Sequence, residues 1–134
     1  MVELSNDEAS GEGELTIRVI AMPSNTNPAG DIFGGWLVSQ MDLAAGSTAA
    51  LRARGRCATV AIDSLVFHRP VAVGDEVSIR TRLLKIGRPS MTIDVQAWRR
   101  MPYTTEIEKV TQGSFVFVAL DEFGRSRSID AAPA

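Results

Sequence analysis

The chain has 134 residues, 45% apolar and 22% charged, and its 14 basic and 16 acidic side chains leave a net charge of −2. Those proportions are ordinary for a folded globular domain and suit one core without a second domain. They exclude collagen-like and disordered chains, a helical membrane protein, and the basic excess expected of a nucleic-acid binder.

Residues 1–13 carry Glu3, Asp7, Glu8 and Glu12 and no basic side chain. They lack the basic start and apolar run of a secretory signal, so the sequence predicts a mobile acidic leader, one domain over 14–130 and a cytoplasmic protein. Residues 14–21 alternate, with Leu15, Ile17, Val19 and Ala21 on one face, the pattern of a half-buried strand. The next nine residues, MPSNTNPAG, are turn formers throughout, and loops of that length often carry function. From Gly34 the sequence reads GGWLVSQMDLAAGSTAALRAR, free of proline and ending in Arg52 and Arg54 before Gly55. Terminal cations followed by glycine predict a helix of about twenty residues stopping there. It is apolar nearly all round, so it should be buried on most sides.

After Gly55 the chain turns to strands at 57–69, 76–86, 91–99 and 110–120, separated by turns at 70–75, 87–90 and 121–124. Its one cysteine, Cys57, can form neither an internal disulfide nor a thiolate zinc site. Consecutive strands joined by short turns pair antiparallel, and a helix that is apolar all round must be wrapped by the sheet that follows it. The predicted architecture is α+β: a hotdog fold, a curved antiparallel sheet around one long central helix.

Asp42 is the only charged side chain between Ile32 and Leu51, and an isolated carboxylate on an apolar helix is costly unless something pairs with it. It is either a functional acid or base, or a group held by an arginine or loop amides brought in by folding. Gly34 and Gly35 open the helix, where free amides and the dipole suit an oxyanion hole, although a plain tight turn would use glycines equally well. Asp42 lies about 10–12 Å further along the helix. One subunit therefore cannot easily apply both groups to one carbonyl, whereas a dimer can. His68, the sole histidine, has no GxSxG elbow to serve, and no ligand spacing suggests a metal. Cations and turn amides near Arg88, Arg125 and Arg127 suit phosphate, but neither a P-loop nor GxGxxG occurs.

The stretches MPSNTNPAGDIFGGWLVSQMD (22–42), TVAIDSLVFHRPVAVGD (59–75), KIGRPS (85–90) and FVFVALDEFGRSR (115–127) closely resemble the YciA-like acyl-CoA thioesterases of the hotdog acyl-CoA hydrolase family. The resemblance implies hydrolysis of acyl-coenzyme A to a free acid and coenzyme A, with no metal or other cofactor, since coenzyme A belongs to the substrate. It implies Asp42 as the catalytic carboxylate, acting as general base or nucleophile, and the Gly34 and Gly35 amides as the oxyanion hole. Asp31 stands where two-domain relatives carry an asparagine that completes the active site, and Asn27 matches a polar loop position that lines it. Arg88 and Ser90, with Arg125 and Arg127, are the carried-over coenzyme A contacts. The implied assembly is a homodimer at least, and a homohexamer built as a trimer of dimers, with no nucleic-acid or membrane partner. The alternatives are a 3-hydroxyacyl-thioester dehydratase, disfavoured because His68 is far from the helix in sequence, and a non-catalytic acyl-CoA sensor, disfavoured because no DNA-binding module fits in the length.

Overall fold

Alternating apolar residues become five strands in the computed structural model, which describes residues 13–130. They are β1 (Glu14–Ile20), β2 (Cys57–Phe67), β3 (Glu76–Ile86), β4 (Ser90–Arg100) and β5 (Glu108–Ala119), with one helix, α1 (Gly34–Ala53), between the first two. The acidic leader lies outside the described residues except for Gly13, whose carbonyl accepts Arg80 Nη1 at 2.8 Å. All strand pairs are antiparallel, in the order β1-β3-β4-β5-β2.

That order departs from simple sequential pairing. β2 and β3 are consecutive yet do not touch; β2 pairs with β5 at one edge while β1 pairs with β3 at the other. The connection 68–75 crosses three strand spacings, about 15 Å, well within the roughly 26 Å reach of eight extended residues. It is tied to the far edge by Ala21 N–H donating to the Asp75 carbonyl and Gly74 N–H to the Ala21 carbonyl.

The inner face of β3 and β4 presents Val77, Ile79, Met91, Ile93, Val95 and Ala97, all fully buried. α1 packs against all five strands and turns Leu37, Met41, Ala44, Ala45, Ala49 and Ala53 inward. Alanines on that face let helix and sheet approach closely, and each large apolar side chain buried contributes about 1.5–3 kcal/mol. A polar tie crosses the layer: Thr81 Oγ1 lies 2.7 Å from Thr48 Oγ1 of α1 and 2.6 Å from Thr16 Oγ1 of β1.

Two expectations need correction, and one feature was not anticipated. The helix is not enclosed: Gly35, Ser39, Leu43, Ser47 and Leu51, four residues apart, form an exposed stripe along it. One sheet covers one side of a helix and leaves the other open. The left-handed residue at the helix end is Arg54, at φ 54, rather than Gly55. Gly55 is small for another reason: a Cβ there would sit 2.7 Å from Arg127 Nη2. On the outer sheet face, Asp94 and Gln96 are buried instead of solvated. They are satisfied within a network in which the Gln112 and Gln96 amides donate to Asp94 at 2.8 and 3.2 Å and Trp98 Nε1 donates to Gln96.

Candidate active site

The polar loop before α1 is closed by its own hydrogen bonds. Asn27 Oδ1 accepts the amides of Ala29 and Asp31 at 2.9 and 3.1 Å. The Asn27 amide donates to the Asp31 carbonyl, and Phe33 N–H donates to the Asn25 carbonyl. Asn27 thus shapes the loop, as short polar side chains do in Asx turns, and Asp31 stands exposed beside it. Two donors remain at the end of this arrangement. The Trp36 amide bonds back to Phe33, but the amides of Gly34 and Gly35 have no acceptor among the described residues, as the first turn of a helix requires. Gly35 lies under the Phe33 ring, where a Cβ would come within 2.8 Å of Cε1, while the space at Gly34 is open to Phe67 Cζ at 4.0 Å. The two glycines therefore leave room for a ligand oxygen at the positive end of α1.

Asp42 is half-buried two turns further on. Among the described residues neither an arginine nor a loop amide holds it. Its partner is the hydroxyl of Thr59 on β2, which donates to Oδ1 at 2.6 Å. Thr59 escaped the sequence reading because a threonine in a β-strand is unremarkable. Its alternation with Asp42's helix face is no signal either, since the two are joined only by the packing of the edge strand on the helix. Asp42 lies eight residues beyond Gly34, about 12 Å along the helix, so the carboxylate and the open amides of one chain do not converge.

A cavity of about 390 Å³ begins at the helix start, lined by Gly34, by the exposed side chains of Asp31, His68 and Arg69, and by the buried side chains of Leu37, Val71 and Val110. His68, remote from the helix in sequence, is beside it in space because 68–75 crosses back over the sheet. Distance along the chain was therefore no argument against it. No hydrogen bond joins His68 to Asp31 among the described residues.

The carried-over cations gather at the other end of α1. The β3–β4 turn and the C-terminal loop meet there, with Ile129 N–H donating to the Arg88 carbonyl and Leu120 N–H to the Arg56 carbonyl. Arg88 and Arg125 are exposed, and Arg125 stacks 5.8 Å from the Phe123 ring. Ser90 closes the turn, its carbonyl accepting Gly87 N–H at 2.8 Å. Arg127 differs in its partners. Its guanidinium donates to the carbonyls of Ala53 at 2.7 Å, Leu120 at 3.0 Å and Ser128 at 3.2 Å. It satisfies the orphan end of α1 and clamps the C-terminal loop. Exposed Arg54 and Arg56 extend the basic end.

Burial pushes the Cys57 thiol above its ordinary value, only partly opposed by the Arg127 charge. Among the described residues, no three His, Cys, Asp or Glu side chains are grouped to hold a metal ion.

Residues 29–106 match the profile of the thioesterase superfamily. The chain is 56% identical over 110 residues to an uncharacterised acyl-CoA thioester hydrolase of Zymomonas mobilis, covering 82% of this chain and 74% of that one. It is 40% identical over 121 residues to the acyl-CoA thioester hydrolase YciA of Escherichia coli, covering 88% and 92%. A crystal structure of a hexameric thioesterase from Yersinia pestis superposes with a TM-score of 0.84 at 42% identity, covering 90% of this chain and 98% of that one.

Proposed function

The chain belongs to the thioesterase superfamily, and from that membership and the site geometry we propose that it hydrolyses acyl-coenzyme A to a free acid and coenzyme A. The observation that carries the mechanism is the pairing of two acceptor-free amides, at Gly34 and Gly35, with a carboxylate whose Oδ1 is already engaged by Thr59. Thr59 leaves Asp42 Oδ2 as the oxygen free to accept a proton. In the proposed reaction, Asp42 Oδ2 takes a proton from water while the water oxygen attacks the thioester carbonyl. The carbonyl oxygen becomes an oxyanion held by the glycine amides, an arrangement worth about 3–4 kcal/mol per donor where it has been measured. Collapse expels coenzyme A thiolate, which recovers the proton from Asp42. The scheme uses no cofactor.

Because those groups lie about 12 Å apart on one helix, each site takes Asp42 from one subunit and the glycine amides from its partner. The exposed stripe on α1 and the unpaired outer edge of β2, with Val60 and Val66 each 57% exposed, are surfaces for such a partner. A homohexamer made of three such dimers is the proposed assembly, in keeping with the hexameric relatives. Arg88, Ser90 and Arg125 are assigned to the coenzyme A phosphates, and Asn27 and Asp31 to the loop that presents the amides. A cytoplasmic enzyme suits the free thiol of Cys57.

The test is thiol release from acyl-CoA by the wild-type enzyme and by Asp42→Asn. Loss of general-base catalysis should lower kcat by about 10²–10⁴-fold. A variant keeping more than a tenth of wild-type kcat would remove Asp42 from the chemistry. In a single turnover in ¹⁸O-water, label should enter the released acid and not the Asp42 carboxylate; label in Asp42 would establish an anhydride route instead.

A further inference from the structure

The cavity at the start of α1 shares Gly34 with the oxyanion site, so a thioester carbonyl seated on that amide places its acyl carbon at the cavity mouth. We propose that this cavity is the acyl-chain pocket and that Val71, in its buried lining, sets the chain length accepted; the assignment rests on the hydrolase reading above.

The lining decides which end of the substrate enters. The polar side chains of its lining, those of Asp31, His68 and Arg69, are exposed. The buried lining is hydrocarbon: Leu37 is 2% exposed, Val71 7% and Val110 fully buried. The backbone amide of His68 is already satisfied, donating to the Val110 carbonyl at 2.8 Å. A pantetheine arm carries two amides, and burying them against such walls without partners is unfavourable. A methylene chain has no such cost. At about 390 Å³ the cavity is near the lower end of the usual range for ligand pockets, roughly 300–1,000 Å³, which suits short and medium acyl groups over long ones.

Val71 is also a fixed wall. It belongs to the crossing segment 68–75, where Arg99 Nη1 donates to the Pro70 carbonyl at 2.6 Å on one side and the Ala72 amide donates to Asp75 Oδ2 at 2.9 Å on the other. The backbone beneath the side chain is therefore held from both directions. Its size is what changes when the residue is substituted.

The experiment measures kcat/KM for straight-chain acyl-CoAs from acetyl to dodecanoyl with the full-length enzyme, Val71→Phe and Val71→Ala, alongside Asp42→Asn. Each methylene buried should raise kcat/KM about fourfold until the pocket is full, after which the profile flattens or falls. Val71→Phe should move that break to shorter chains and Val71→Ala to longer ones. Opposite shifts from one position are not produced by general destabilisation. If Val71→Phe does not fold, the lengthening by Val71→Ala decides alone. A break point unmoved by either variant, or equal losses on every thioester, would overturn the assignment, the latter by placing the pantetheine arm in the cavity. Failure of the hydrolase reading looks different, because no thiol is then released by the unsubstituted enzyme at any chain length, and the pocket assignment falls with it.

Discussion

Thr59 contributes nothing to the core. It is exposed on an edge strand, yet its hydroxyl is the one side chain that holds Asp42 among the described residues. A hydrogen bond to a charged group is worth about 1.5–3 kcal/mol. If it orients Oδ2 toward water, Thr59→Val should cost roughly ten- to a hundredfold in kcat with KM little changed, and Thr59→Ser should recover most of the loss. A purely structural threonine would show neither the kcat-specific loss nor the recovery. Full activity in Thr59→Val would place the hydroxyl outside the mechanism. The same scale separates two arginines in one loop. Arg125 leaves its guanidinium toward solvent and an aromatic ring, while Arg127 spends its donors on carbonyls of α1 and the loop itself.

At the scale of elements, the crossing segment 68–75 carries both His68 and Val71, and one of its anchors runs through the Glu108 carboxylate. Glu108, at the start of β5, accepts Arg99 Nη2 at 3.0 Å and Arg69 Nε at 3.1 Å. Arg99 also reaches the Pro70 carbonyl, and Arg69 the Lys109 carbonyl. The hydrogen bond from Arg99, reinforced by the Arg99 and Arg69 charges and only partly opposed by burial, holds the Glu108 carboxyl below the usual carboxylate value of 4.5. A depressed folded-state pKa contributes stability that is present above the unfolded value and is lost as pH falls through the folded one. Thermal unfolding should therefore show Glu108→Gln melting below wild type near neutral pH, with the gap closing under acid conditions. A gap equally wide at pH 3 and pH 7 would mean that the charge of Glu108 is not what ties the segment down.

The whole molecule leaves much apolar surface open. Leu43 is 62% exposed and Leu51 81% on α1, on the side no strand covers, and β2 has a free edge. In the proposed dimer, a second chain against these surfaces would complete both the helix burial and the site. Subunit mixing tests the second half of that statement. Asp42→Ala subunits and subunits altered at Gly35, each inactive alone, should together form one intact site in every heterodimer. Random reassortment makes about half of the dimers mixed, each with one good site of two, so recovery of about a quarter of wild-type activity is expected. No recovery after demonstrated subunit exchange would show that a site is built within one chain.

Local pattern was enough for much of this protein. The alternation of Val77, Ile79, Met91, Ile93 and Val95 specifies two central strands, because strand side chains alternate whatever lies beyond them. The proline-free run between Gly34 and Arg54 specifies the helix, and the lone carboxylate within it singles out Asp42. The glycine pair was legible as a place where amides are left free, since every helix start leaves some. Long-range packing decided the rest. Nothing in residues 57–67 says that they pair with β5 instead of β3, because each strand offers the same backbone donors and acceptors to any neighbour. That pairing sets Thr59 beside Asp42 and returns His68 and Val71 to the start of α1, while the C-terminal loop folds back to bring Arg127 onto the helix end. Burial of Asp94 and Gln96 was likewise invisible in a polar–apolar alternation, which records what a side chain is and not which partners the closed sheet will supply.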